Sequence, residues 1–221
     1  MGKRGQKPKG KVKIKWSADF AYAIGLIVTD GCLYRGRSIN LTSKDLEQVN
    51  NFQKALGIKC HIGRKSGRVS GPKIYYTVQF GDVLFFNFLE TIGLSAAKSK
   101  TVGIIDIPQK YFFDFLRGSF DGDGCTYSYW DPRWKSSFMF YTTFVSASEK
   151  HVLWIQSEIE KRLDIRGHIT KSKTRDYYQL KYAKKDSRIL IRKMYYKKDL
   201  ICLSYKKLKI DQMLAIVGKS M

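Results

Sequence analysis

The sequence predicts an α+β protein built from two pseudo-symmetric αββαββα halves whose leading helices pair at the centre. Three observations predict it. An apolar segment ending Asp30-Gly31-Cys32-Leu33-Tyr34 returns later as a segment ending Asp123-Gly124-Cys125-Thr126-Tyr127. Each copy carries a glycine at the same place, Gly25 and Gly118. The flanks then repeat one order of strand-like and helix-like patterns, and a repeat of this length signals duplicated architecture.

The elements follow in order. Residues 1–16 form a basic arm, with Lys3, Arg4, Lys7 and Lys9 among its cations and no acid before Lys15. The first half spans 17–98. Its leading helix starts behind Ser17, a good N-cap, and stops at Gly31. A hairpin follows around Arg35-Gly36-Arg37. A capping box, Thr42 to Asp45, opens the next helix, which ends near Leu56 to Ile58. A second strand pair holds His61, Ile62, Tyr75 and Tyr76, and a further helix leads to Leu94. Residues 99–107 are a linker. The second half, 108–221, repeats the plan with a longer first hairpin: Pro108 in the first helical turn, Gly124 as helix end, a turn at Asp131-Pro132, a capping box from Ser146 to Glu149, strands at His168-Ile169 and Tyr177-Tyr178, and a helix leading to Leu203.

The two leading helices are apolar nearly all round, so both are buried. A glycine costs a helix about 1 kcal/mol against alanine. Gly25 and Gly118 are therefore expected at the helix interface, where two backbones approach too closely for a side chain. Side-by-side packing brings Asp30 and Asp123 together at the C-terminal ends. Carboxylates there face the negative end of the helix dipole and repel each other. A cation between them relieves both penalties, and Mg²⁺ characteristically takes one or two carboxylates plus phosphate oxygens.

Composition narrows the partner. Basic residues number 41 against 19 acidic, a formal net charge of +22, which calls for a polyanion. The hydrophobic fraction of 43% supports a real core rather than global disorder. No apolar run reaches membrane-span length, and the cations are spread along the chain, so nucleic acid is favoured over a membrane surface. Cys32, Cys60, Cys125 and Cys202 make no CxxC pair, which argues against a structural zinc site and for free thiols in a reducing intracellular compartment, cytoplasm, nucleoid or organelle matrix. An EF-hand reading of Asp121-Gly122-Asp123-Gly124 fails, because loop positions 5 and 12 fall on Cys125 and Pro132.

The segments Ala23–Gly31 and Leu116–Gly124, with their flanks, resemble the two motif copies of monomeric LAGLIDADG homing endonucleases, and the resemblance runs over about residues 17–215. It implies a monomeric, site-specific, metal-dependent endonuclease that hydrolyses both strands of a DNA duplex across a minor groove and leaves short 3′ overhangs. The alternative is a catalytically retired relative, an RNA-splicing maturase or a nucleic-acid-binding regulator, with intron RNA as a possible partner. The metal set implied is Asp30, Gly31, Asp123 and Gly124. The metal is Mg²⁺ or Mn²⁺, with Ca²⁺ binding but not supporting cleavage. The acid before the last is Val28 in the first copy and Asp121 in the second. Lys98 and Lys207 occupy the place of a phosphate-side lysine in each half, where a cation stabilises transition-state charge. A helper polar position falls on Ser43 and Ala147, and alanine cannot order a water.

The resemblance also implies a saddle of antiparallel sheets astride the duplex. Strand alternation sends Tyr76, Val78, Phe80, Tyr178, Leu180 and Tyr182 inward. The DNA-facing set is then Tyr75, Thr77 and Gln79 in one half, and Tyr177, Gln179 and Lys181 in the other. Hairpin cations add Arg64, Lys65, Arg68 and Lys73, then Lys171, Lys173 and Arg175. The leading hairpins supply Tyr34, Arg35, Arg37 and Asn40, then Tyr129, Arg133 and Lys135. Arg, Lys, Gln and Asn carry donors that read major-groove edges.

Overall fold

A computed structural model describes residues 10–67, 73–134 and 136–218, without the side chain of Lys73. Among these residues the chain forms seven α-helices and two four-stranded antiparallel sheets. The first half runs α1 (Ala18–Asp30), β1 (Gly31–Tyr34), β2 (Ser38–Ser43), α2 (Leu46–Leu56), β3 (Ile62–Gly67), β4 (Lys73–Gly81) and α3 (Val83–Thr91). The second runs α4 (Phe112–Asp123), β5 (Cys125–Trp130), β6 (Phe138–Ser146), α5 (Glu149–Leu163), β7 (His168–Lys171), β8 (Tyr178–Tyr182) and α6 (Lys184–Met194). The sheet orders match, β1-β2-β4-β3 and β5-β6-β8-β7.

Local chemistry accounts for most boundaries. Ser17 caps α1 by accepting from Phe20 N. Helices α2 and α5 end in left-handed residues, Gly57 and Asp164, whose N–H groups turn back onto the last turn. Arg35 and Gly36 both adopt positive φ, the backbone that a tight hairpin needs. The structure departs from expectation in three ways. Helix α4 starts at Phe112 rather than at Pro108, because Pro108 instead leads a 3₁₀ turn over Gln109–Tyr111. Neither capping box forms. The N-caps are Asp45 and Ser148, and the hydroxyls of Ser43 and Ser146 accept from the N–H two residues on, fixing the strand-to-helix corner. After the second half comes an additional helix, α7 (Ser204–Ile216), where the first half has only a 3₁₀ turn, Lys98–Lys100.

Each sheet buries one face. Ile39, Leu41, Val78 and Phe80 pack inward in the first, and Phe140, Phe144, Leu180 and Tyr182 in the second. The opposite faces carry Asn40 and Gln79, and Tyr127, Tyr129 and Tyr141, with no helix over them among the described residues. The α1–α4 pair forms the centre. A Cβ on Gly25 would lie 2.2 Å from Phe115 O and 2.9 Å from Gly118 Cα; one on Gly118 would lie 2.0 Å from Tyr22 O. Side chains at either place are excluded by backbone atoms, which cannot rotate away.

Candidate active site and nucleic-acid interface

The helix crossing delivers Asp30 and Asp123 to the same edge. Their carboxylates sense each other: burial and then the charge of Asp123 push Asp30 up to about 6. Asp123 reaches the surface, yet the protein mass around it still raises its pKa. Gly122 is needed between them, since a Cβ there would lie 2.0 Å from Thr29 Oγ1 and 3.0 Å from Asp30 Oδ2.

The two halves then diverge. Asp30 Oδ2 accepts from Gln48 Nε2 at 2.5 Å, and Gln48 Oε1 accepts from Ser43 Oγ at 2.8 Å. A cleft of about 310 Å³ opens over this chain, with Lys44, Tyr75 and Tyr205 among its walls. The strand ladders pair Ser43 with Tyr76 and Ser146 with Tyr178, so the mate of Ser43 is Ser146, not Ala147. The same register makes His151 the mate of Gln48. His151 Nδ1 bonds instead to Gly103 O in the linker at 2.8 Å, and burial keeps its imidazole neutral by lowering its pKa. Beside Asp123 lies a small cavity of about 20 Å³ instead of a comparable cleft.

One lysine serves each half. Lys98, 5% exposed, donates to Gly31 O. Its mate is Lys206, not Lys207. Lys206 Nζ donates to Phe120 O at 2.7 Å, Asp121 O at 2.8 Å and Gly124 O at 2.7 Å, placing a cation on the negative end of α4. Lys207 points away and pairs with Asp211. The register slips because α7 begins at Ser204 and brings its lysine one residue sooner after Leu203 than the 3₁₀ turn does after Leu94. Burial lowers the pKa of both Lys98 and Lys206. The carbonyls of Gly31 and Gly124, both in the expected metal set, each accept from an ammonium, that of Lys98 and that of Lys206. Lys206→Ala is expected to destabilise by about 2 kcal/mol and to loosen Asp123, whereas Lys207→Ala, losing one partly exposed pair, should cost under about 0.5 kcal/mol. Thermal melts of both variants check this, and equal losses would contradict it.

Asp121 is structural. It is buried, held near a pKa of about 6 by desolvation, and its Oδ2 accepts from Tyr22 Oη at 2.8 Å and Leu203 N at 2.7 Å. It ties α4 to α1 and to the start of α7.

The donor set for a metal is two carboxylates. Among the described residues no group of three or more His, Cys, Asp or Glu gathers around one point. Two hard oxygen donors with raised pKa values, crowded by each other, fit a divalent ion that takes its remaining oxygens from phosphate and water.

The bare sheet faces carry part of the expected DNA-facing set. Tyr34, Asn40 and Gln79 share one face, with Lys65 beside Tyr75. Thr77 shares it too but is 9% exposed, bonded to Asn40 and Thr42. In the second sheet Tyr129, Gln179 and Lys181 share the bare face, with Tyr177 partly buried at the end of its hairpin. Arg64 and Lys171 do not. They pair with Tyr76 and Tyr178 and lie over those rings, on the helix side, because directly opposed residues share a face. His168 and Thr170, opposite Lys181 and Gln179, share the bare face instead. Arg35, Arg37, Lys173 and Arg175 are exposed at hairpin ends. Arg133 is exposed but pairs with Asp131 at 3.0 Å. Arg68, Lys135 and the Lys73 side chain lie outside the described residues. Unanticipated from sequence is a tyrosine stack, Tyr127 on Tyr141 at 4.8 Å and Tyr129 on Tyr141 at 6.3 Å. Alternation along β5 and β6 carries that signal. Gln48 had none, since its role depends on where α2 packs.

No protein-family model and no curated protein matches the chain. Solved structures do. I-SmaMI, described as bound to an uncleaved DNA target in the presence of calcium ions, aligns with TM-score 0.61 at 14% identity, covering 92% of this chain and 91% of its own. The homing endonuclease I-WcaI, bound to its DNA recognition sequence, aligns with TM-score 0.60 at 12% identity, covering 95% and 94%. Full-length DUF199/WhiA from Thermatoga maritima aligns with TM-score 0.55 at 16% identity; the match covers 95% of this chain but 64% of that one. At these identities the likeness establishes the fold, one shared by LAGLIDADG homing endonucleases and by WhiA.

Proposed function

We propose that this protein is a site-specific endonuclease that cuts double-stranded DNA with a divalent metal, acts as a monomer and leaves short 3′ overhangs. The observation that carries the reading is the placement of Asp30 and Asp123. A crossing too tight for side chains sets them together at the edge from which both bare sheet faces spread. Fold likeness to proteins bound to duplex DNA supports the partner.

In this reading the duplex lies along the two sheets, and the scissile phosphates come to the two aspartates. Asp30 and Asp123 would hold Mg²⁺ or Mn²⁺, which would supply an activated water and neutralise charge on the phosphate. Ca²⁺ binds there without supporting cleavage, in keeping with an uncleaved target in the calcium-containing relative. Lys98 and Lys206 hold the carbonyl ends of the motif helices, keep the aspartates aimed and add positive potential where phosphate charge develops. Gln48 orients Asp30. Among the described residues no matching amide orients Asp123, so the two strands are cut at unequal rates.

The cation also has a thermodynamic signature. A carboxyl whose folded-state pKa is raised opposes folding once ionised. For Asp30 this penalty is absent below its ordinary pKa of about 3.9 and complete above about 6. At neutral pH a bound cation offsets it. Mn²⁺ at about ten times its dissociation constant is expected to add roughly 1.4 kcal/mol, a rise of about 3–6 °C in Tm. The rise should vanish in the Asp30→Asn/Asp123→Asn double variant. No rise in the unmodified protein, or an equal rise in the variant, contradicts the metal assignment.

A further inference from the structure

The second half carries a feature that the first lacks. In the first half Gly93 alone separates Ile92, at the end of α3, from buried Leu94. In the second, Tyr196–Cys202 separate Tyr195, at the end of α6, from buried Leu203. Leu94 and Leu203 are equivalent, each leading into the lysine that holds a motif glycine carbonyl. The longer connection, with α7, walls a cavity of about 560 Å³ lined by Tyr195, Tyr196, Lys197, Lys198, Lys207 and Asp211.

Charge and shape are both distinctive. Lys207 pairs with Asp211, whereas Lys197 and Lys198 are exposed and make no ion pair among the described residues. Arg192 and Lys193 add exposed cations at the end of α6, against one exposed acid, Asp199. The outer face of the equivalent helix α3 has Val83, Leu84, Asn87 and Glu90 and no cation, so the fold does not require this charge. The ring of Tyr196 is 52% exposed, held by its hydroxyl donating to Asp114 Oδ1 at 3.2 Å. Tyr195 is buried, and its hydroxyl has no partner among the described residues.

This surface is apart from the bare sheet faces. Helix α6 buries Leu190, Ile191 and Met194 beneath the second sheet, on its core side. Tyr196 bonds near the start of α4, about 13 Å along the helix axis from Asp123 at its end.

We infer that this cavity binds single-stranded nucleic acid, with an unpaired base stacked on Tyr196 and the flanking phosphates on Lys197 and Lys198. A duplex keeps its bases stacked inside and presents a convex backbone. A concavity offering an aromatic ring beside unpaired lysines matches an exposed base and its phosphates. The inference does not depend on the nuclease reading.

The test is fluorescence anisotropy on the full chain with labelled short oligo(U) and oligo(dT), in excess unlabelled random-sequence duplex that occupies the sheets. The oligonucleotides are expected to stay bound. Lys197→Glu/Lys198→Glu should weaken them about tenfold or more, and Tyr196→Ala about tenfold, with duplex affinity unchanged. A preference for oligo(U) assigns the site to RNA through the 2′-hydroxyl; equal binding assigns it to either strand type. Complete displacement by duplex, or wild-type oligonucleotide binding by both variants, overturns the inference. If duplex itself does not bind but the variants lose the oligonucleotides, the nuclease reading fails and this inference stands.

Discussion

Asp30→Asn and Asp123→Asn are each expected to abolish double-strand cleavage while leaving duplex affinity nearly unchanged. The amide keeps the shape and, at Asp30, can still accept from Gln48. It lacks the charge that holds a divalent ion. Stability moves the other way. Both carboxyls have raised pKa values, chiefly from burial, so at neutral pH their ionised forms oppose folding. Removing one charge should leave Tm equal or higher. Lost activity with undiminished stability separates an active-site role from a folding role. Normal cutting of both strands by both variants would remove the aspartates from the active site. A nicked product is expected to be informative too: Asp123→Asn should spare nicking more than Asp30→Asn does, because the ordered Ser43–Gln48–Asp30 chain survives.

Gly25→Leu and Gly118→Leu are expected to lower stability by about 3 kcal/mol or more, about 6–12 °C in Tm. Ordinary overpacking costs about 1–3 kcal/mol because neighbouring side chains shift. Here the obstructing atoms are backbone, Phe115 O for Gly25 and Tyr22 O for Gly118, so α1 and α4 must separate. The aspartates ride on those helices, and about 1 Å of misplacement can cost on the order of 10²-fold in rate. The checks are a thermal melt and a cleavage assay on each variant. Unchanged melting with full activity would mean that the helices do not cross at these glycines.

What was legible in the sequence follows from what is local or repeated. The apolar helices with a costly internal glycine announced a close crossing, and repetition of Asp-Gly-Cys-x-Tyr placed two acids at equivalent helix ends. The succession of helices and strands along each half was readable from alternation and turns. Single-residue phase was not. Lys206 rather than Lys207, and Ser146 rather than Ala147, depend on where α7 starts and on strand ladders that only tertiary pairing fixes. Arg64 and Lys171 fall on the helix side for the same reason, since one step along a strand reverses the face. Gln48 acquires its role only when α2 packs beside α1, and the Asp121 link to Tyr22 and Leu203 joins residues far apart in sequence. Net charge announced a polyanion but not that part of it gathers on α6, on the core side of the second sheet.

The fold accommodates proteins named as homing endonucleases and also WhiA, so it does not by itself choose between cutting and binding. The decisive measurement is digestion of a randomised duplex library by the purified protein with Mg²⁺, with Ca²⁺ and with neither, followed by sequencing of the ends. The account predicts breaks in both strands at one related set of sequences, with short 3′ overhangs, in Mg²⁺ alone, and intact bound duplex in Ca²⁺. Tight, sequence-selective duplex binding with no broken strand in Mg²⁺ or Mn²⁺ would contradict it and make the protein a DNA-binding relative without nuclease activity.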